Sequence, residues 1–165
     1  NHRNIMNLLI HDANILIDLI TAKSIGHFFS LGYEMFTTSA VIGELNDEQQ
    51  KILERFIAAK KLKIRKFNDR EDVEIIEIFS NTPGISYPDA TVYFASKDMG
   101  ALLLTGDKKL RSVAEKSGVE VKGIFWAFDE MKAKKALSST EYKKSLEKLK
   151  EINRRLPKEE FEKRK

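Results

Sequence analysis

Asp12 interrupts the stretch "MNLLIHDANILIDLI" (residues 6–20), where an apolar run gives out and resumes with a different period. Three more acids fall at comparable junctions. Asp107 follows "ALLLT" after Thr105 and Gly106, Asp89 lies in the first turn of a helix begun at Pro88, and Glu44 sits in the otherwise apolar "SAVIGEL". Taken singly, each has an ordinary explanation. Asp12 and Asp107 are placed to cap the helix that follows, Asp89 can answer Ser86 in a capping box, and Glu44 can be an exposed helix residue. Taken together they are four carboxylates with no compensating base, and clustering them would raise their pKa values and oppose folding. A divalent cation removes that conflict, and hard oxygen donors select Mg²⁺ or Mn²⁺.

Whether the acids meet depends on the elements that carry them. Residues 5–11 read as a buried strand and residues 13–21 as the helix that follows, with a second helical segment over residues 23–31 ended by Gly32. "EMFTTS" (34–39) reads as a strand. The helical stretch after it breaks near Asn46 and Asp47, and its second piece puts Ile52, Leu53, Phe56 and Ile57 on one face. "LKIRKF" (62–67) is a strand, Asp69 caps a helix running to about Phe79, and "NTPGIS" (81–86) is a turn. Pro88 then starts a helix to Met99 that Gly100 closes. "ALLLT" (101–105) and "VEV" (119–121) are short strands around a helix over residues 108–117, with Leu110, Val113, Ala114 and Ser117 inward and Gly118 just past its end. Strands alternating with helices predict a three-layer α/β/α sandwich with a central, mainly parallel sheet. In a doubly wound sheet the carboxyl ends of the strands share one edge, where sites form. Two of the acids lie on such ends and two on helices beginning beside it, so all four can converge.

The 165 residues are one domain's worth, 33% charged and 42% apolar, with no cysteine. Disulfides and thiolate-bound zinc are thereby excluded, and a reducing, cytoplasmic setting is expected. No apolar run is long enough to span a bilayer and no secretory signal is visible. The chain does not begin with Met, and residues 1–4 read as a remnant outside the fold. The net charge of +4 conceals an asymmetry: residues 132–165 hold 13 Lys and Arg against 6 Asp and Glu, so a basic tail follows a mildly acidic body. Such a tail suits a polyanionic partner, although a solvated helix face is the commoner reason. "SSTE" gives it a capping box, Ser138 with Glu141, and Tyr142, Leu146, Leu149, Ile152 and Leu156 form a stripe that must pack on its own domain, a second copy or another protein. The expected division is residues 5–131 as the main domain and 132–165 as a basic helical extension.

The segments "HDANILIDL", "TTSAVIGEL", "SYPDATVYFASKDMGALLLTGDKKL" and "GVEVKGI" together resemble a PIN domain of the VapC-type toxin kind, over roughly residues 5–125 and in the family's order and spacing. "D-A-N" and "LLTGDKKL" are the most specific parts. The resemblance assigns the acidic quartet to Asp12, Glu44, Asp89 and Asp107, and its polar helpers to Asn14 and Thr105. It implies an endoribonuclease that needs Mg²⁺ or Mn²⁺ and cuts single-stranded RNA, with structured RNA the other substrate expected, paired as a homodimer and silenced by a small antitoxin protein. Phosphodiester hydrolysis is consistent with such a donor set, since metal ions held by carboxylates activate water, neutralise developing charge and assist the leaving oxygen. On this reading Asp12 and Asp89 are the principal metal ligands and Asp107 and Glu44 complete the site. Asn14 and Thr105 hold the carboxylates in place. Lys108 and Lys109 flank them and are candidates to engage substrate phosphates, although two solvated lysines at a helix start are the commoner case.

Rival layouts fit less well. A response-regulator receiver carries adjacent acids after its first strand, where this chain has His11–Asp12, and a lysine for which Lys122 is only a loose match. A haloacid-dehalogenase-type phosphatase has a second Asp where Asn14 stands. A weakly active, PIN-like RNA-binding or scaffold protein is the alternative from a different class. The histidines add little: His11 points to the sheet face opposite Asp12 and is expected to be packed, His2 lies in the terminal remnant, and His27 has no evident partner. Phe125, Trp126 and Phe128 are expected in the core rather than stacked on bases.

Overall fold

Leu9 and Ile10 are fully buried, which is what a strand covered on both faces requires, and they place β1 (Leu8–His11) at the centre of the sheet. The computed structural model describes residues 7–165, so residues 1–4, expected to lie outside the fold, and the first two residues of the expected strand are not among the described residues. β2 (Glu34–Thr38), β3 (Lys63–Arg65), β4 (Leu102–Leu104) and β5 (Val121–Lys122) complete a parallel sheet in the order β3-β2-β1-β4-β5. The chain winds outward from β1 to β3 on one side, crosses back through α6 (Tyr87–Met99), and winds outward again through β4 and β5. The winding reverses between β1 and β4.

Helices cover both faces and make this a three-layer α/β fold. α6 lies against β1, β2 and β4, flanked by α3 (Ser39–Gly43), α5 (Asp69–Asn81) and α7 (Lys108–Lys116). α1 (Ala13–Thr21) packs with α2 (Ile25–Phe29), α4 (Asp47–Ala58) and α9 (Ser139–Ile152), while α8 (Ile124–Ala133) bridges α2 and α9. Among the described residues no helix is long and apolar enough to cross a membrane.

The elements expected from sequence are nearly all present, with local corrections. The second helix starts at Ile25 rather than residue 23, because Lys23 takes φ 60 and ends α1 in a left-handed turn. Asn68, not Asp69, caps α5, its side chain accepting from the Glu71 N–H while Glu71 answers the Asn68 N–H. β5 is displaced to Val121–Lys122, where pairing with Leu103 and Leu104 holds it. Two helices had no counterpart in the sequence reading: α8, and α10 (Lys158–Glu162).

The basic tail is part of the body. Tyr142, Leu146, Leu149 and Phe161 are buried in the same core cluster as β1 and β4, whereas Ile152, the fourth residue of the stripe, is 47% exposed. Ser138 and Glu141 form the expected capping box. Phe128 is fully buried and Phe125 and Trp126 are partly so, in keeping with a core role.

Candidate active site

The site grows from the register of two strands. Leu9, Ile10 and His11 pair with Leu102, Leu103 and Leu104, and the Asp12 N–H donates to the Leu104 carbonyl at 3.1 Å, carrying the alignment one step past the strand ends. Asp12 and Thr105 therefore meet at the carboxyl edge, where the winding of the sheet reverses. In a doubly wound sheet that reversal opens the crevice in which ligands bind.

Capping and convergence occur together. Asp12 caps α1, its Oδ1 accepting from the Ile15 N–H at 2.9 Å, and its Oδ2 accepts from the Thr105 hydroxyl. Thr105 Oγ1 in turn accepts from the Asp107 N–H at 3.0 Å, and Asp107 caps α7 through the Leu110 N–H at 2.8 Å. Asp89 completes its capping box: Oδ2 accepts from the Ser86 N–H at 2.9 Å, and Ser86 Oγ accepts from the Asp89 N–H at 3.1 Å. Glu44 is the exposed C-cap residue of α3, one position past the helix in which the sequence put it.

Although Asp12, Asp89 and Asp107 each have a local capping role, the four acids act on one another. Burial pushes the Asp12 carboxyl up to about 7; the Thr105 and Ile15 hydrogen bonds oppose that, and the charges of Asp89 and Asp107 add to it. Asp89 is raised by burial and further by Asp107, against the pull of Ser86. Glu44 is raised by burial and by Asp89. Among the described residues none of the four is ion-paired. The result is a concentration of unpaired negative charge at the sheet edge, of a kind that suits a hard divalent cation. Asp89 Oδ1, Asp107 Oδ2 and both Glu44 oxygens accept no hydrogen bond among the described residues and are free as donors to it. The side chains are not drawn into a closed shell: as they lie, no three His, Asp or Glu groups among the described residues stand close enough to hold an ion together.

A family model described as a PIN domain matches residues 8–165. The chain belongs to the PIN-domain family. The match runs through the tail as well as the sheet. The chain matches none of the curated proteins with which it was compared. PIN domains are in general nucleases that typically use divalent metals, and this PIN domain has the nuclease fold.

The remaining sequence candidates of the PIN domain differ in placement. Asn14 is exposed at the start of α1, with no hydrogen bond to a carboxylate among the described residues. Lys108 and Lys109 are exposed at the start of α7. The Lys109 stem crosses Gly84 in the turn before Asp89; Gly84 has φ +97, and a Cβ there would lie 3.2 Å from Lys109 Cγ. His11 is buried on the far face, its Nδ1 on the Phe36 carbonyl at 3.0 Å and its ring edge-on to Phe28 and Phe29. Burial lowers its pKa to about 4, so it stays neutral. His27 does have partners, the Ala136 carbonyl at 3.0 Å and the Glu141 carboxylate at 3.6 Å.

Two threonines were missed. Thr38, the N-cap of α3, and Thr91, two residues past Asp89, share a buried hydrogen bond of 2.8 Å that ties the Glu44 segment to the Asp89 helix. Thr91 also donates to the Pro88 carbonyl at 2.6 Å. The only signal for either was a hydroxyl at a strand end and another within a turn of an acid.

Proposed function

We propose that the chain is a Mg²⁺- or Mn²⁺-dependent endoribonuclease acting on single-stranded RNA, in the cytoplasm, and the toxin of a toxin–antitoxin pair. One observation carries the reading: Asp12 and Asp107 flank the reversal point of the sheet, bridged by Thr105, with Asp89 and Glu44 adding charge that no protein cation balances. Asp12 and Asp89 would be the principal ligands, with Asp107 and Glu44 completing the set. Bound there, a divalent ion would supply an activated water and neutralise charge on the phosphate. Thr105 orients Asp12 and Asp107, and the Thr38–Thr91 pair keeps Glu44 and Asp89 on the same rim. Lys108 and Lys109 stand beside the acids to engage substrate phosphates.

The homodimer and the antitoxin belong to the same proposal. Val73, Ile76 and Phe79 form an exposed apolar stripe on α5 that continues to Tyr87, two residues before Asp89, and an exposed stripe of this kind favours a protein partner. Ile76→Lys should then reduce the sedimentation coefficient of the isolated protein to that of a monomer.

The open arrangement of the acids favours one alternative, a weakly active PIN-like RNA-binding or scaffold protein. A single assay decides between them. Wild-type protein with Mn²⁺ should cut a labelled single-stranded RNA, EDTA should stop it, and Asp12→Ala should be inactive. Metal-independent cleavage, or none at all beside intact binding, would reject the enzyme.

A further inference from the structure

Three clefts of about 490, 390 and 590 Å³ run along α9 and α10. The first two share Glu147, Lys150 and Phe161, and the last two share Lys143, Arg164 and Lys165, so they form one continuous trough. Its lining is unbalanced: eight Lys and Arg against Glu141, Glu147 and Glu151. Arg164 and Lys165 are tied to acids, but Lys132, Lys135, Lys143, Lys150, Arg154 and Lys158 are exposed and form no ion pair among the described residues. Unneutralised cations along a concave path are what a flexible polyanion needs.

The trough also has a direction. Asn153, which caps the end of α9, donates to both oxygens of Asp18 in α1, at 3.2 and 3.1 Å. Glu141, at the start of α9, meets His27 of α2, beyond the far end of α1. The two helices are thus antiparallel, and α9 ends toward the edge where α1 begins at Asp12. Asp18 is six residues into that helix, about 9 Å along its axis from the first acid. Arg154 and Lys158 stand at the trough's active-site end, and Lys132 and Lys135 about 20 Å away, the length of α9.

We propose that this trough is a binding track for the phosphate backbone of single-stranded RNA, which it leads toward the four acids. The proposal rests on the ribonuclease reading of the site. The trough's aromatic residues, Tyr142 and Phe161, are buried, leaving no platform on which bases stack. Contact is therefore through phosphates, strongly salt-dependent and indifferent to base sequence. An acidic protein segment is the competing occupant, and it lacks the second contact that RNA makes at the acids.

The test removes charge without touching the core. Lys143→Gln, Lys150→Gln and Arg154→Gln are combined in one protein, and Lys51→Gln, Lys97→Gln and Lys116→Gln, all exposed on other helices, in a control. Fluorescence anisotropy with a labelled single-stranded RNA of about 20 nucleotides is read in EDTA, where no cutting occurs, across a salt titration. The trough variant should bind more than about tenfold more weakly, with the slope of log affinity against log salt smaller by about 2, at roughly 0.7 per lost phosphate contact. The control should change little, and both should melt near wild type. Cleavage in Mn²⁺ is a separate arm: KM for the long RNA should rise with kcat kept, while a substrate of a few nucleotides is cut as by wild type. Equal losses in both variants, or none in the trough variant, would overturn the track and leave the nuclease reading standing if cleavage persists. Binding of poly-glutamate in place of RNA would overturn it in favour of a protein partner.

Discussion

The Thr105 hydroxyl donates to Asp12 and accepts the Asp107 N–H, so one side chain fixes two acids from neighbouring strands. It sits fully buried at the edge where the sheet reverses its winding. Its bond to Asp12 also opposes the rise that burial imposes on that carboxyl. Thr105→Val keeps the shape and deletes the donor. On the proposed metal site, nuclease activity should fall by about 10- to 100-fold, as when a group that orients a metal ligand is lost. Thr105→Ser restores the hydroxyl and should recover most of it. Single-turnover cleavage by the three proteins is the measurement; equal loss in Val and Ser would assign Thr105 to packing instead.

Asp89 has two roles that pull in opposite directions. It closes the capping box with Ser86, yet burial and Asp107 disfavour its charge. Asp89→Asn retains an acceptor for the Ser86 N–H and removes the charge. In EDTA the variant should be more stable than wild type by on the order of 1 kcal/mol. Added Mg²⁺ should stabilise wild type and leave the variant nearly unaffected, since a ligand stabilises only the state that binds it. Denaturant melts in EDTA and in excess Mg²⁺ test both halves. A variant that loses stability in EDTA and responds to Mg²⁺ as wild type does would make Asp89 a cap alone.

The positions of the acids were legible because caps and strand ends are local features. Asp12, Ser86–Asp89 and Asp107 declare themselves through side chains that bond backbone N–H groups within three residues. What escaped had no such marker. α8 begins after Gly123, which offers no side-chain cap, and its run "IFWAF" has no polar spacing to reveal a period. α10 starts after Pro157, also without a side-chain cap, and is only five residues long. Lys23, Lys60 and Lys135 take φ of 60, 61 and 57 where glycine or asparagine would have signalled a helix end. The Thr38–Thr91 bond joins residues 53 apart, a contact that no local pattern encodes.

The tail reads as a basic appendage by composition and as core by structure. Leu149 is 1% exposed and belongs to the main cluster, while Ile152, one turn on, faces solvent. Leu149→Ala should therefore cost about 2–5 kcal/mol, as truncation of a buried leucine does. Ile152→Ala should stay within about 0.5 kcal/mol. Urea melts of the pair distinguish a packed tail from a loosely attached one, in which both changes would be near neutral.

Asp18 gives the fold a pH dependence apart from the acid cluster. Burial raises its carboxyl from 3.8 to about 6, opposed by the Asn153 amide and the charge of Arg155. A folded-state value above the unfolded one means that the native state holds a proton the unfolded chain has released. Between about pH 4 and 6 folding takes that proton up, so stability falls as pH rises through this window, and above it the penalty is constant. A shift of this size corresponds to ~3 kcal/mol, which solvent screening at this partly exposed carboxyl reduces to about 1–2 kcal/mol. Asp18→Asn leaves an acceptor for Asn153 and nothing to ionise. The variant should match wild type near pH 4 and exceed its stability by that amount at pH 7.5, by urea melts at each pH. A difference of the same size at both pH values would mean that the hydrogen bond to Asn153, and not the charge, carries the effect.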